Sequence, residues 1–385
     1  MRKLIGILPL AIIMLLVLSC KPDGNAVSDT VNPDSNIPVA FSTGEPIWDL
    51  LFAGDEMWVG TIGGVVRCDL KKGTTQKYTI QDGLGSNVVR KLARDTRGNI
   101  WATGHLAGVN RFDGTKWQNF TVQDGLISDD VITLETDRQG GVWVSGYWGV
   151  SYYDGTEWRS FTSIEPGSLV VGGENKNNPK ATLIENVELS AADVIFVDSR
   201  GAVWFSDRTK GVTRFDGENW KHFSSEDGLA EGGISAITED KDGNLWFGGM
   251  KGITCFDGSR FQIFTIKEHQ SIIPRPYIQD IRQDKQGNIW VAAFGGGVSR
   301  YDGADWRVFT TADGLPGDNA QSIYLDREGN PGVIIDKGVS RFNGTGWQTL
   351  TAEDGLPDGE IRTFAMDDAG NLWFGGAGYE IRRIN

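Results

Sequence analysis

Histidine, cysteine and proline are all scarce in these 385 residues, and each shortage excludes something. His105, His222 and His269 are the three histidines and lie far apart, with no Gly-x-Ser-x-Gly elbow and no His-Glu-x-x-His pair. Neither a serine-hydrolase nor a zinc-protease centre can be built from neighbouring residues. There is no Cys-x-x-Cys pair or His-rich tract, so no metal or cofactor is expected. Cys68 and Cys255 fall in different repeats, one residue out of register, and are expected to face opposite sheet sides as two unpaired thiols. Lys and Arg form no cluster, and the formal net charge is −14, which disfavours nucleic acid and anionic membrane surfaces. What is plentiful is Gly (52) and Trp (14), a mix suited to short strands, tight turns and large apolar anchors.

Those residues recur with a period. Trp stands at 58, 101, 143, 204, 246, 290 and 373, and Gly332 takes its place in one degenerate copy. A period near 42 built from strand-like pieces is the spacing of four-stranded blades in a propeller. The copy from Val88 shows the pattern. Val88 to Arg94 reads as a strand, Asp95-Thr-Arg-Gly98 as a turn and Asn99 to Thr103 as a strand. Gly108 to Phe112 and Lys116 to Val122 follow, joined by the tight turn Asp113-Gly114. Burying each Trp between blades would contribute roughly 5 kcal/mol as an upper bound, at about 25 cal/mol per Å². First strands starting near Ile47, Val88, Val131, Asp193, Ile234, Ile278, Gln321 and Ile361 predict an all-β propeller of eight blades. Seven is the alternative if the copy around Gly332 is incomplete. The last copy has room for three strands, and Pro38-Val-Ala-Phe-Ser-Thr43 looks like the missing fourth, which would close the ring and remove two exposed edges.

Asn244-Leu-Trp-Phe-Gly-Gly249, Gly297-Val-Ser-Arg-Tyr-Asp-Gly303 and the Asp-Gly-Leu segments resemble the two-component regulator propeller repeat. That family includes periplasmic sensor portions of hybrid histidine kinases that detect glycans. The resemblance implies a propeller that senses or binds a ligand. Because no kinase or DNA-binding segment follows within the 385 residues, the expectation is a sensor-like module without direct signalling.

At the N-terminus, Met1-Arg-Lys3 and the apolar run from Leu4 to Leu18 read as a signal peptide, too short for a membrane span of about 20 residues. Val17-Leu18-Ser19-Cys20 resembles the lipobox of bacterial lipoproteins, with Leu18 where Ala or Ser is commoner. The resemblance implies cleavage after residue 19, lipidation of Cys20 and, with Lys21 next, an outer-membrane anchor facing the periplasm or the surface. Residues 20–37 read as a flexible tether, leaving 38–385 as one propeller domain.

In propellers the turns joining strands two and three share one rim with the blade-to-blade connections. The candidate ligand-binding residues there are His105, Tyr147, Trp148, Asp207, Arg208, Lys210, Lys251 and Phe294, with Thr209, Met250, Asp336, Lys337 and Tyr379 alongside. Aromatic rings beside charges suit an oligosaccharide, by stacking and directional hydrogen bonds. Insertions at 163–192 and 267–277 lengthen the same rim. The alternative reading of these residues is structural: blade packing for the rings and solvated charges for the rest. Asp82, Asp124, Asp227, Asp313 and Asp354 could suggest a metal-binding ring, and Asp240-Lys-Asp-Gly-Asn244 part of a calcium loop. Both read better as turns. Function is bracketed as non-catalytic glycan binding, a protein-interaction scaffold in an envelope complex, or, on fold analogy with streptogramin lyases, a lyase or hydrolase using His105 or His269.

Overall fold

The computed structural model describes residues 40–163, 180–185, 187, 189, 191–207, 209–265, 277–336 and 338–384. The signal peptide, Cys20 and the tether lie outside them, as do Arg208, His269, Lys337 and most of both insertions.

The strands form eight sheets, each built on four antiparallel strands, and in seven of them these four follow one another in chain order. Blades 1 to 7 cover residues 47–78, 89–120, 131–162, 195–223, 234–265, 277–309 and 320–350. Blade 8 takes three strands from 361–384, and Ala40–Ser42 supplies its fourth, pairing Phe41 with Ile381. The ring is therefore closed by the N-terminal strand, as expected. First strands of most neighbouring blades touch one another, so they are innermost and line the axis. A hydrophobic cluster fills each seam between successive blades. The one between blades 8 and 1 holds Ile47, Val59 and Trp373, with Phe41 packed against it.

Second strands are buried at every position in most blades, because they lie sandwiched between two neighbours. Their Trp residues are seam anchors. Trp58 packs on Phe112 and Trp117 of the next blade, and Trp101 on Tyr153 and Trp158. The turn before the Trp is tied to it. Asp95 accepts from the Arg97 and Asn99 amides through Oδ1, and Oδ2 accepts from Trp101 Nε1 at 2.9 Å. Asp198, Asp240, Asp284 and Asp367 hold Trp204, Trp246, Trp290 and Trp373 the same way. In Asp240-Lys-Asp-Gly-Asn244, both Asp240 carboxylate oxygens are engaged by N–H donors, so this segment is a turn.

The degenerate copy is a full blade, which removes the seven-blade alternative. Tyr324 fills the volume its Trp would take, since a Cβ on Gly332 would lie 1.9 Å from the Tyr324 ring. Arg341 makes the contact to Asp326 that Trp Nε1 makes elsewhere.

The Asp-Gly-Leu segments are short 3₁₀ turns between blades. Thr79 N donates to Asp82 Oδ2 at 2.8 Å, Gly83 takes a left-handed φ of 103°, and Leu84 is buried in the seam. Thr121, Ser224, Thr310 and Thr351 repeat the arrangement. These aspartates are frame. Cys68 and Cys255 form no disulfide, and their strand positions differ by one: Cys68 pairs with Met57, Cys255 with Trp246. Burial pushes the Cys255 thiol up to about 11.

The first insertion is partly structural, which corrects its reading as a rim loop alone. Thr182–Leu183 adds a fifth, parallel strand to the outer edge of blade 3. Val187, Leu189 and Ala192 then pack into the seam with blade 4, whose own first strand is only Ile195–Val197.

Candidate functional site

Which turns share a rim follows from the hydrogen bonds. His105 N donates to the Val88 carbonyl, Met250 N to Gly233 and Ala377 N to Glu360, each tying a second-to-third-strand turn to the entry of its own blade. These turns and the blade-to-blade connections form one rim. The Asp-x-x-Gly and Asp-Gly turns form the other, where the Arg97 guanidinium donates to the Asp154 carbonyl of the next blade.

His105 is exposed on the first rim, beside Leu106, which adopts a left-handed φ of 54°. Tyr147 is exposed and Trp148 half-buried, with ring centroids 6.2 Å apart. Phe294 is exposed at the end of its strand, directly paired with Tyr277, also exposed. Lys251 is exposed and ion-pairs with Glu231 at 2.5 Å. Asp207 differs from its reading as a ligand contact. It is buried, and its Oδ1 accepts from the Thr209 and Lys210 amides and the Thr209 hydroxyl, so this oxygen is used to hold the turn. Arg208 lies outside the described residues.

The structure brings two of these candidates together. Lys210 and Lys251, from consecutive blades, line a cleft of about 590 Å³ with His222, Ser224, Glu226 and Glu231. His222 Nδ1 lies 2.9 Å from Thr213 Oγ1, which orients the ring. His105, Tyr147–Trp148 and Phe294 belong to other blades.

Sequence reasoning missed a further set. In seven blades the innermost strand carries a bulge near its start, as between Ile47 and Asp49, Val89 and Lys91, and Ile361 and Thr363. The extra residue is thereby turned out of the alternation. Trp48 is one of these and is 40% exposed, although it sits in an innermost strand. Arg362, the bulge residue of blade 8, places its guanidinium 4.9 Å from the centre of the Trp48 ring. The signal was present in the sequence: in Ile47-Trp-Asp-Leu50 two residues separate buried positions where strict alternation allows one.

Residues 228–251, 272–295 and 355–378 match the two-component regulator propeller family. All three segments run through the Asp-x-x-Gly turn and the Trp-bearing second strand, and the first and third begin in an Asp-Gly-Leu region. The chain carries two-component regulator propeller repeats. A comparison with curated proteins finds no match. Among solved structures, the propeller is similar to the extracellular domain of the hybrid two-component system protein BT3049 of B. thetaiotaomicron, at 19% identity and a TM-score of 0.53. That match covers 88% of this chain and 51% of the other. PorZ, a surface component of the type-IX secretion system of Porphyromonas gingivalis, matches at 16% identity and TM-score 0.53, over 88% and 52%. The chain thus spans about half the length of each. A streptogramin B lyase matches at 13% identity and TM-score 0.53, over 91% and 97%. At these identities the likeness is one of fold. No helix among the described residues is long and apolar enough to cross a membrane.

Proposed function

We propose that the rim of second-to-third-strand turns is a non-catalytic binding surface of an envelope protein and that its ligand is an oligosaccharide. One observation carries this reading: exposed large apolar side chains are segregated to that rim. Ile62, Leu106, Tyr147, Met250, Phe294 and Tyr379 each come from the second-to-third-strand turn of a different blade, whereas Met366 lies at the opposite rim and Leu183 on the outer edge strand of blade 3. Exposed apolar residues gathered on one face of a soluble protein mark a contact surface. Tyr147, Trp148, Phe294 and Tyr277 offer flat rings for sugar faces, and Lys210 and Lys251 offer donors on the same rim. The extracellular and surface settings of the similar propellers support an envelope location, and Cys20 would supply the lipid anchor.

Titrating the full chain carrying Cys20→Ser against an oligosaccharide panel tests this. Trp148→Ala is expected to weaken binding about ten-fold, roughly 1.4 kcal/mol. Absence of binding to any glycan, or full affinity in the variant, would overturn the oligosaccharide reading. A second reading, a protein partner in an envelope complex, is favoured by the aliphatic side chains Ile62, Leu106 and Met250, which stack poorly on sugars. Specific recovery of one envelope protein, lost on Met250→Asp, would favour it.

A further inference from the structure

The seam where the ring closes concentrates charge and an aromatic ring on the axis. Consecutive blades 8, 1 and 2 place Arg362, Trp48 and Arg90 at their bulges, while the other bulge residues, Ile132, Ser235, Gln279 and Gln321, are uncharged. An innermost strand has no neighbour on its axial edge. Side chains exposed there, at the rim end of the strand, open onto the mouth of the axis. Arg362 and Arg90 are exposed, and Lys91 is half-exposed.

Contacts link these residues across all three blades. Arg362 donates from Nε and Nη2 to Glu360 Oε2 at 3.2 and 3.0 Å, which fixes the guanidinium over Trp48 and leaves Nη1 without a partner among the described residues. The adjacent Asp49 accepts from the Leu50 amide at 3.1 Å and from the Leu92 amide of blade 2 at 2.8 Å. Its carboxylate is thus pinned. Lys91 Nζ stays 3.7 Å away, an ion pair without a short hydrogen bond. Glu360 holds Arg362 in place, Asp49 and, from blade 3, Glu135 face Lys91, and both cations keep donors for something else. An arginine held flat with one amino group unused is prepared for a carboxylate.

We propose that this seam is a subsite for an acidic sugar, with the carboxylate received by Arg362 and Lys91 and the sugar ring lying against Trp48. Arg90 adds positive potential at the mouth of a protein whose net charge is −14, so the seam is a local attraction in a repelling field. The inference rests on the oligosaccharide reading and names the class of sugar. Glu360 and Asp49 are positioning residues.

The test is binding of oligogalacturonate and oligomannuronate, each beside its carboxyl-reduced neutral counterpart, to the full chain carrying Cys20→Ser. The acidic form is expected to bind about ten-fold more tightly than the reduced form, with the advantage shrinking as ionic strength rises and the Debye length falls below roughly 10 Å. Arg362→Gln and Lys91→Gln should each cut the advantage to about two-fold or less. Trp48→Ala should weaken both forms and Trp48→Phe restore them, with melting temperatures confirming that each variant is folded. Equal affinity for acidic and reduced forms, or an undiminished acidic preference in Arg362→Gln, overturns the subsite. If glycans bind through Trp148 without charge preference, this inference alone falls. If no glycan binds, it falls together with the oligosaccharide reading.

Discussion

At the scale of single residues, the frame is held by polar atoms that each serve several donors. One carboxylate in the Asp-x-x-Gly turn fixes two amides and an indole, so the buried Trp is also oriented by its own turn. Blade 7 shows how the arrangement tolerates loss of its Trp: Tyr324 fills the volume and Arg341 takes the carboxylate. In blades 2 and 8 the residue paired with the Trp is Ala93 or Ala365, small enough to leave the space open. Gly332→Trp alone should therefore clash with Tyr324 and cost about 3 kcal/mol or more. Adding Tyr324→Ala should recover most of that loss, since it recreates the pairing of blade 2. Chemical denaturation of the two single variants and the double variant measures the coupling, and additive losses would contradict it.

At the scale of the blade, the turn between strands three and four is an Asp-Gly hairpin whose aspartate accepts from the following amides. Asp113 and Asp154 are held down at about 2, first by the hydroxyls of Thr115 and Thr156 and then by backbone amides. Asp216, Asp257 and Asp302 are lowered for related reasons. A carboxyl with a depressed folded pKa contributes stability that is fully present above its unfolded value near 3.8 and lost as pH falls through about 2. Thermal stability is thus expected to drop between about pH 4 and pH 2. Asn343 makes the same amide contacts in blade 7 without ionising. Asp154→Asn should accordingly fold normally at neutral pH and flatten the acid limb slightly. An unchanged limb in a set of such Asn variants would show that these turns do not drive acid sensitivity.

At the scale of the molecule, closure decides whether eight seams or seven are filled. Ala40–Ser42 hydrogen-bonds to Glu380–Ile384, and Phe41 packs 6.1 Å from Trp373 in the last seam. Deleting residues 1–43 should leave the blades but expose the edge of Glu380–Ile384, lowering the melting temperature by several degrees and promoting edge-to-edge association. Differential scanning calorimetry with light scattering checks both effects; a monomer of unchanged stability would contradict the account. The rims belong to this scale as well. A repeated blade sets its turns at equal intervals around one axis, so a single apolar residue per turn becomes a ring of contacts that no blade offers alone.

Blade count, closure and the structural use of Asp-Gly-Leu were legible in the sequence, because each copy repeats the local chemistry of its turns and each Trp marks a seam. Those are short-range properties, fixed within a few residues of the positions that show them. The candidate site was legible only in part. The turns bearing Tyr147, Lys251 and Phe294 were correctly placed on the rim by repeat register, yet the burial of Asp207 and the meeting of Lys210 with Lys251 depend on neighbouring blades. Trp48, Arg90, Lys91 and Arg362 lie in strands that read as core. A bulge exposes Trp48, and ring closure alone brings Arg362, more than three hundred positions away, onto its face. Periodicity determined the scaffold, since it is a sum of identical local choices. The axial seam was decided by tertiary structure, since only a closed ring makes the first blade and the last adjacent.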